Sequence, residues 1–492
     1  MYHALFIKDR EMTPEEFREA GHTLIDWIAD YRQRIPERPV RAQIKPGQVR
    51  QSFPDTPPAT TVDFDTLLEQ LESRVVPGIT QVQHPMHFGW FPSNASLASV
   101  LGDIASSGLG TLGISWESCP ALTEVEEVVC DWLRQLTGLS DNWKGTIHDT
   151  ASTACVTAMI LARERASNYS KNTSGLQAAS APLVVYSTRQ AHSSIAKAVQ
   201  LAGFGQDNLR YIDEDPFTRA MLPEALSSAV ERDLADGLVP AAIVCSVGAT
   251  GTTAMDPVAA IAAIANQHDI WLHVDAAMAG SAMLLPECRH LWEGVEAADS
   301  MAWNPHKWMG TILDTALFYV RDTAHLEKVM STNPAYLQST ADGEVTQYRD
   351  WGIPLGRRFR ALKLWFHLQL DGIDSIRQRL RRDLENAQWL AEQAESAEEW
   401  EIVAPVSLQT VCLRHLPRDA SGSQLAGEAL DRHTLSWVDK INRSGKAFLS
   451  PSVLDGRWMA RVSIGVEGTT RAHVEALWIM LQNTAASEAK NS

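Results

Sequence analysis

Residues 241–277, AAIVCSVGATGTTAMDPVAAIAAIANQHDIWLHVDAA, decide the fold. The runs at 241–247 and 270–277 are short and apolar, as buried strands are, and the segment near 257–267 has the length and pattern of a helix. Two strands joined by a crossover helix form a βα unit whose strands run parallel, and helices then cover both faces of the sheet. The stretch therefore predicts an α/β fold built on a mostly parallel sheet.

The same alternation begins upstream, at about residue 180. PLVVYST at 182–188 and NLRYIDE at 208–214 have the pattern of strands, and a helical segment follows each of them, from about 193 and about 222. In sheets of this kind, ligands bind at the carboxyl ends of the strands. We therefore expect functional residues directly after the strand-like runs.

The last hundred or so residues have a different pattern. Strand-like runs at 407–416 and 458–465 precede a C-terminal helical segment, which predicts a smaller α+β domain. We therefore expect three units: an N-terminal helical arm at 1–92, a large domain at 93–362 and a small domain at 363–492.

The N-terminal arm begins with a helix signal. Thr13, Pro14 and Glu16 have the form of a capping box with proline at the first helical position, and apolar residues then recur at helical spacing. The proline-rich and polar segment 45–61 predicts an extended connection. Charge at Lys8 interrupts any signal-peptide core, and no apolar run has the length of a membrane span. The amphipathic helix needs a partner surface.

Composition narrows the possible functions. The chain has 492 residues, 45% apolar and 21% charged, which is typical of a globular enzyme-sized protein. Its formal net charge of -17 repels phosphate backbones and anionic lipids, so we expect neither a nucleic-acid nor a membrane partner. The six cysteines show neither CxxC pairs nor regular spacing, which predicts no metal site and favours a reducing cytoplasm.

The segment WNPHKWMG at 303–310 places Lys307 in apolar surroundings. By itself such a lysine is most often one whose stem covers apolar surface. Burial also disfavours the ammonium form, and a neutral amine attacks carbonyl groups. Pyridoxal phosphate is the carbonyl compound to consider, and it needs an acid at its ring nitrogen, a flat group over its ring and an anion site for its phosphate.

The sequence offers each of these groups. Asp275 ends a strand-like run, and the alanines after it leave room for a flat ring; a helix cap is the alternative role. His192 follows another strand and could stack on a ring, or cap the next helix. The small polar residues at 150–153 precede an apolar helix, so their N–H groups and hydroxyls could bind an anion or simply cap that helix.

Motifs along nearly the whole chain resemble group II pyridoxal-phosphate-dependent amino acid decarboxylases, specifically the aromatic-L-amino-acid decarboxylase branch. HVDAA, followed some thirty residues later by NPHKW, is highly specific to that group. TPEEFREAGHTLIDWIADY, PGITQVQHPMHFGWFPSNAS, GISWESCPALTEVE, AHSS and YRDWGIPLGRRFRALKLW match as well. The resemblance implies the aspartate-aminotransferase-like fold type I and an obligate homodimer in which the N-terminal segment wraps the other subunit.

The resemblance also implies a role for each site residue. Lys307 is expected to form the Schiff base, Asp275 to face the ring nitrogen and His192 to stack on the ring. The remaining cofactor contacts that it implies are Ala151, Ser152, Thr250, Ala277, Asn304, His306 and Gly356. Tyr336 lies where the family carries a mobile-loop tyrosine, the proton donor to Cα.

The expected reaction is decarboxylation of an aromatic amino acid, such as tryptophan, tyrosine, DOPA or phenylalanine, to the arylalkylamine and CO2. Relatives that instead form aldehydes tend to replace the lid tyrosine with phenylalanine or the stacking histidine with asparagine. Tyr336 and His192 are both retained here, which favours simple decarboxylation. An aldehyde synthase and a non-catalytic homologue are the alternatives.

The substrate side chain is expected to meet an apolar pocket, lined partly by the neighbouring subunit. Alignment to the family gives its residues as Trp90, Phe91, Pro92, Ser93, Leu112 and Ile114. Flat aromatic side chains suit such a pocket, and these stretches hold no cation for an acidic substrate. Core packing is the alternative role for Leu112 and Ile114.

Two residues near the expected cofactor site depart from the family pattern. Met278 replaces a frequent tyrosine, and Asp149 stands where glycine is common beside the phosphate loop. A carboxylate near a phosphate is unfavourable unless it is turned away or paired.

Overall fold

In the computed structural model, the residues described are 11–177, 181–332, 334, 337, 341–419 and 421–490. Their helices are α1 Pro14–Gln33, α2 Gln48–Gln51, α3 Phe64–Gln70, α4 Leu97–Leu109, α5 Pro120–Thr137, α6 Ala151–Ala166, α7 Ser170–Ser174, α8 Ser193–Leu201, α9 Pro223–Ala235, α10 Val258–Gln267, α11 Thr323–Met330, α12 Ala361–Leu370, α13 Ile373–Glu395, α14 Gly427–Ser444 and α15 Arg471–Ala489. Their strands are β1 Lys144–His148, β2 Leu183–Ser187, β3 Leu209–Tyr211, β4 Val239–Ser246, β5 Trp271–Asp275, β6 Ser300–Trp303, β7 Ala316–Val320, β8 Trp400–Ile402, β9 Thr410–His415, β10 Ser450–Leu454 and β11 Arg457–Ser463.

Seven strands form the larger sheet, in the order β1-β7-β6-β5-β4-β2-β3. Neighbours from β6 to β3 run parallel, and β7 is antiparallel to both β6 and β1. Strands β2 and β5 are buried along their whole length, because helices cover both faces. The predicted α/β fold is confirmed, while β1, β6 and β7 were not singled out in the sequence.

The smaller sheet is antiparallel, in the order β10-β11-β9-β8. Helices α13, α14 and α15 contribute to its core, which also includes Phe88 from the N-terminal part of the chain. Phe88 is joined to this sheet by backbone hydrogen bonds, from its N–H to Phe448 O (2.9 Å) and from Ser463 N–H to its own carbonyl (2.9 Å). The segment around Phe88 therefore links the N-terminal arm to the smaller sheet.

Helix α1 begins as the sequence predicts. Thr13 Oγ1 accepts a hydrogen bond from Glu16 N–H (3.2 Å), and the Thr13 N–H donates to Glu16 Oε2 (2.8 Å), which completes the capping box. No residue of α1 is buried, and Phe17 is 64% exposed. The segment 45–61 was expected to be extended but contains the short helix α2, while most of its remaining residues are exposed and irregular. Among the described residues, no helix combines the length and apolar character needed to cross a membrane.

Candidate active site

Lys307 lies in a tight turn just beyond β6. Its backbone N–H donates to Asn304 O (3.0 Å), and its Nζ lies 5.4 Å from the centroid of the Phe91 ring. Burial lowers the pKa of the Lys307 amine, and nearby Asp275 offsets part of that effect. A lysine with a lowered pKa carries more neutral, nucleophilic amine at a given pH.

Asp275 is the last residue of β5 and is only 8% exposed. Its Oδ1 accepts a hydrogen bond from Ala277 N–H (3.0 Å), which leaves the second carboxylate oxygen to face a ligand nitrogen. Ser246 is its register neighbour on β4, and the buried Ser246 Oγ has no hydrogen-bond partner among the described residues. A buried hydroxyl without a hydrogen-bond partner indicates that a polar group of a ligand could bind there.

His192 combines the two roles that the sequence left open. It caps α8, because Ser194 N–H donates to its Nδ1 (3.1 Å). Burial, together with the positive charge of Lys307, lowers the pKa of His192, so the ring is neutral near pH 7. Since Nδ1 accepts, the neutral ring carries its proton on Nε2.

The start of α6 is held by Asn304. Asn304 Oδ1 accepts a hydrogen bond from Ala151 N–H (3.0 Å), so the Ala151 N–H is not available to a phosphate. The next residue, Ser152, offers its N–H and hydroxyl to an anion at the helix start. His306 Nδ1 accepts from Thr315 N–H (3.1 Å), and burial lowers the pKa of His306 to about 4. Asn304 and His306 are thus fixed by the backbone around them.

These groups converge on one cavity of about 180 Å³. The residues predicted from sequence that line it are Phe91, Ala151, Ser152, His192, Thr250, Asp275, Ala277, Asn304, His306 and Lys307. They converge because strands β1, β4, β5 and β6 all end at this edge of the sheet, where the following loops meet. A second, open cavity of about 1670 Å³ shares His192, Thr250, His306 and Lys307 and adds Trp90, Pro92 and Ser93.

Comparison with known proteins identifies the family. Residues 46–416 match the model of the pyridoxal-dependent decarboxylase conserved domain. The chain belongs to the pyridoxal-dependent decarboxylase family. It is 39% identical to the phenylacetaldehyde synthase of Arabidopsis thaliana (97% of each chain covered) and 38% identical to tryptophan decarboxylase 2 of Oryza sativa subsp. japonica (97% of this chain, 96% of that one). The crystal structure of Oryza sativa TDC with PLP and tryptamine superposes with a TM-score of 0.92, at 34% identity, over 97% of this chain and 99% of that one.

The smaller cavity fits the cofactor of this family. It presents the Lys307 amine, the Asp275 carboxylate and the unpartnered Ser246 hydroxyl, and the start of α6 supplies an anion site at Ser152. Among the described residues, no group of three or more His, Cys, Asp or Glu side chains is arranged to hold a metal ion.

Arg461 is a member of the site that sequence reasoning missed. It lies on β11, lines the larger cavity with Lys307, and stacks its guanidinium over Phe91 at 4.8 Å from the ring centroid. Nη1 donates to Trp90 O (3.1 Å), but the buried Nε and Nη2 have no hydrogen-bond partner among the described residues. The signal was present in WMARVSIG, because a lone arginine in an apolar strand is seldom buried without a ligand or partner.

Three residues predicted from sequence lie apart from Lys307. Leu112, Ile114 and Gly356 line neither of the two cavities that contain it. They belong instead to two paired loops, because Gly113 and Arg357 form a β-bridge and a Cβ built on Gly356 would lie 4.0 Å from Leu112. In this chain, these residues therefore lie outside the lining of the cofactor cavity.

The two residues that depart from the family pattern lie in different parts of the structure. Met278 is buried and lines the cofactor cavity. Asp149 accepts a hydrogen bond from Thr150 N–H (2.8 Å) and lines a separate cavity of about 100 Å³ with Arg357, Arg358 and others. Asp149 is therefore not among the residues that line the cofactor cavity. The predicted proton donor, Tyr336, lies outside the described residues.

Proposed function

We propose that the protein decarboxylates an aromatic L-amino acid, with pyridoxal phosphate as cofactor, to the arylalkylamine and CO2. The observation that carries the proposal is the convergence of Lys307, Asp275 and His192 on one cavity in a chain of this family. The sequence relatives give further support, since they include a protein named for phenylacetaldehyde synthesis and one named for tryptophan decarboxylation.

Pyridoxal phosphate, held in the smaller cavity, would supply an electron sink for a bond broken at the substrate Cα. Lys307 contributes an amine whose pKa burial has lowered, so that more of it is neutral and nucleophilic at a given pH. Asp275 has one oxygen fixed by Ala277 N–H and offers the other to the ring nitrogen, where a carboxylate keeps the proton in place.

The remaining residues of the cavity are proposed to hold the cofactor and to orient the substrate. His192 presents a neutral ring and an Nε2–H to the cavity, because its Nδ1 is engaged by Ser194. Ser152 at the start of α6 would hold the phosphate with its backbone N–H and hydroxyl, in the cavity that Asn304 and His306 also line. Orienting the carboxylate-bearing bond is the main contribution that these residues make to the rate.

Arg461 is proposed to bind the substrate carboxylate. Arg461 lines the larger cavity with Lys307, both groups lie close to the Phe91 ring, and two of the Arg461 donors have no hydrogen-bond partner among the described residues. Guanidinium and carboxylate form short, charge-assisted hydrogen bonds, often as a two-point contact. A carboxylate held there has a fixed direction relative to Lys307.

An aromatic substrate class is supported by the rings that border the larger cavity. Trp90, Phe91 and Phe448 all line it, and the Trp90 and Phe448 centroids are 5.0 Å apart. Aromatic rings offer large, flat contact area to an arene in offset or edge-to-face geometry.

A homodimer with composite active sites is part of the proposal. Helix α4 exposes Leu101 (45%) and Ile104 (43%), and Leu112 (56%) and Leu355 (43%) are exposed nearby on the paired loops. Apolar side chains that are exposed together in this way favour burial against a partner subunit. A second copy would cover it and bring the predicted pocket residues Leu112 and Ile114, with Gly356, to the partner's cofactor.

The dimer is tested by sedimentation velocity across protein concentrations. Ile104→Glu is expected to dissociate the dimer, because it introduces charges into the apolar face. Leu201→Glu, on the exposed end of α8, is the matched control and should leave the dimer intact. A wild-type protein that is monomeric at micromolar concentration would contradict the dimer.

A reducing cytoplasm and the boundaries 1–92, 93–362 and 363–492 remain proposals. All six cysteines are free thiols, and five of them are buried, which is compatible with that compartment. Limited proteolysis with mass spectrometry of the fragments tests the boundaries.

The function is tested by identifying the products of purified holoprotein with tryptophan, tyrosine, DOPA, phenylalanine and glutamate, with oxygen uptake recorded in parallel. An aromatic amine without oxygen uptake is the expected result. Aldehyde with oxygen uptake would instead establish the second candidate, which the similarity to the Arabidopsis phenylacetaldehyde synthase favours.

The role of Lys307 is tested by Lys307→Ala, with Lys197→Ala on the exposed face of α8 as control. Lys307→Ala is expected to lose the visible absorbance of bound cofactor and all turnover, while the control keeps both. Normal turnover by Lys307→Ala would refute the assignment.

A further inference from the structure

The backbone of Trp90 has an unusual conformation. Its φ of +52° lies in the left-handed region, which bulky side chains seldom adopt because Cβ approaches the backbone too closely. Such a conformation persists only where the surroundings enforce it. The preceding Gly89 packs against Phe448 so tightly that a Cβ on it would meet that ring at 2.3 Å.

Two side chains from neighbouring strands hold this conformation. Trp90 N–H donates to Ser450 Oγ (2.6 Å), and Trp90 O accepts from Arg461 Nη1 (3.1 Å). Ser450 on β10 and Arg461 on β11 are direct register partners in the smaller sheet. Both polar backbone groups of one residue are therefore fixed by one cross-strand pair.

The conformation sets the position of the Trp90 ring. The ring packs against Phe448 at 5.0 Å and against His87 at 5.6 Å between centroids, yet Trp90 remains 53% exposed and lines the large cavity with Lys307. Rotation about the φ angle of Trp90 would move this ring relative to Phe91, the next residue in the chain. The ring of Trp90 therefore forms part of the cavity wall, and its position depends on the two hydrogen bonds made by the Trp90 backbone.

We propose that Ser450 is a positioning residue that sets the preference of the enzyme for substrate ring size by fixing Trp90. Arg461 makes the second hydrogen bond but also lines the larger cavity with Lys307, and two of its donors have no partner among the described residues, so changing it would alter more than the Trp90 contact. Ser450 lines that cavity too, but its hydroxyl accepts from Trp90 N–H, so variants of equal shape with and without a hydroxyl isolate this contact. The inference rests on the proposed function, because it assumes that an aromatic side chain enters this cavity.

The test compares Ser450→Val with Ser450→Thr, two side chains of the same shape that differ in the hydroxyl. Ser450→Ala is added in case the larger residues do not fit, and Ser228→Ala, on the exposed face of α9 and away from both cavities, is the control. The readouts are kcat and KM for tryptophan and phenylalanine, and dissociation constants for the unreactive acids indole-3-propionate and 3-phenylpropionate, measured by equilibrium dialysis.

Ser450→Val and Ser450→Ala are expected to change the tryptophan-to-phenylalanine ratio of kcat/KM at least fivefold, mainly through KM. The ratio of the two dissociation constants should change in parallel, and the absorbance of bound cofactor should stay the same. Ser450→Thr and Ser228→Ala should remain within twofold of wild type.

Three results would overturn the inference: wild-type ratios in Ser450→Val and Ser450→Ala, equal losses for both ring sizes, or a Ser450→Thr variant that behaves like Ser450→Val. Failure of the proposed function gives a different result, because wild-type holoprotein would then bind cofactor without turning over any aromatic amino acid. In that event the ratio of dissociation constants alone decides the role of Ser450.

Discussion

Replacing Arg461 with methionine should weaken catalysis while leaving the fold as stable as before, or more stable. Arg461 is 4% exposed, and its Nε and Nη2 donors have no protein partner among the described residues. A hydrogen bond to a charged group contributes about 1.5 to 3 kcal/mol. Loss of the carboxylate contact should therefore lower kcat/KM by about 10- to 100-fold, since about 1.4 kcal/mol corresponds to tenfold.

The effect of Arg461→Met on stability should have the opposite sign. A buried donor without a partner costs about 1 to 3 kcal/mol, and methionine of comparable length removes that cost together with the buried charge. The variant also loses the hydrogen bond from Nη1 to Trp90 O, which contributes about 1 kcal/mol. The free energy of unfolding should thus be unchanged or higher by up to about 2 kcal/mol.

The assay pairs steady-state kinetics with urea unfolding of the holoprotein. Arg414→Met is the matched control, because Arg414 lies in the same sheet and its Nε and Nη2 bind the carbonyls of Trp458 and Leu454. The control should lose stability and keep kcat/KM. An Arg461→Met protein that is less stable than wild type by more than 1 kcal/mol, or that keeps wild-type kcat/KM, would refute the reasoning.

Three further predictions concern stability, pH and the cofactor. Glu126→Gln should destabilise the fold by about 3 kcal/mol, because it leaves the charge of buried Arg357 uncompensated, and urea unfolding measures the loss. The free energy of unfolding of the wild type should fall by about 2 kcal/mol between pH 7 and pH 5 because of His433. Burial lowers the pKa of His433 in the folded state to about 4, whereas the ring titrates near 6.5 in the unfolded state. His433→Gln should remove that part of the pH dependence. Ser152→Ala should weaken pyridoxal phosphate binding about tenfold in an absorbance titration, through loss of a charge-assisted hydrogen bond.

Each of these variants has a control on the surface. Glu15→Gln breaks the exposed contact with Arg18 and should change stability by less than about 0.5 kcal/mol. His22→Gln, on the exposed side of α1, should leave the pH dependence as in wild type, and Ser228→Ala on α9 should leave cofactor affinity unchanged. Equal effects in a variant and its control would contradict the corresponding prediction.

The sign of the His433 prediction follows from linkage. A histidine whose pKa is lower in the folded state binds fewer protons there than when unfolded, so stability rises with pH between about 4 and 6.5. The environment of His433 supports this direction, since its Nε2 lies 2.9 Å from His415 Nδ1 and both rings are buried. A proton on one ring disfavours a proton on the other.

The sequence by itself determined the architecture of the large domain and the candidates for the reactive groups. Short apolar runs alternating with helical segments specify strands and helices because their periods differ, and β2, β4 and β5 formed where the pattern predicts them. Lys307, Asp275 and His192 could be found because each follows directly on a strand or its turn, and parallel strands end at a common edge.

The tertiary structure alone decided which distant residues meet. Arg461 joins the cavity because β11 of the smaller sheet lies opposite Phe91, a contact between residues 370 positions apart that no local pattern encodes. Packing likewise fixed Trp90 in its left-handed conformation and placed Leu112 and Gly356 away from the Lys307 of their own chain. Local sequence sets the period and direction of side chains, whereas burial and partnering depend on contacts across the whole chain.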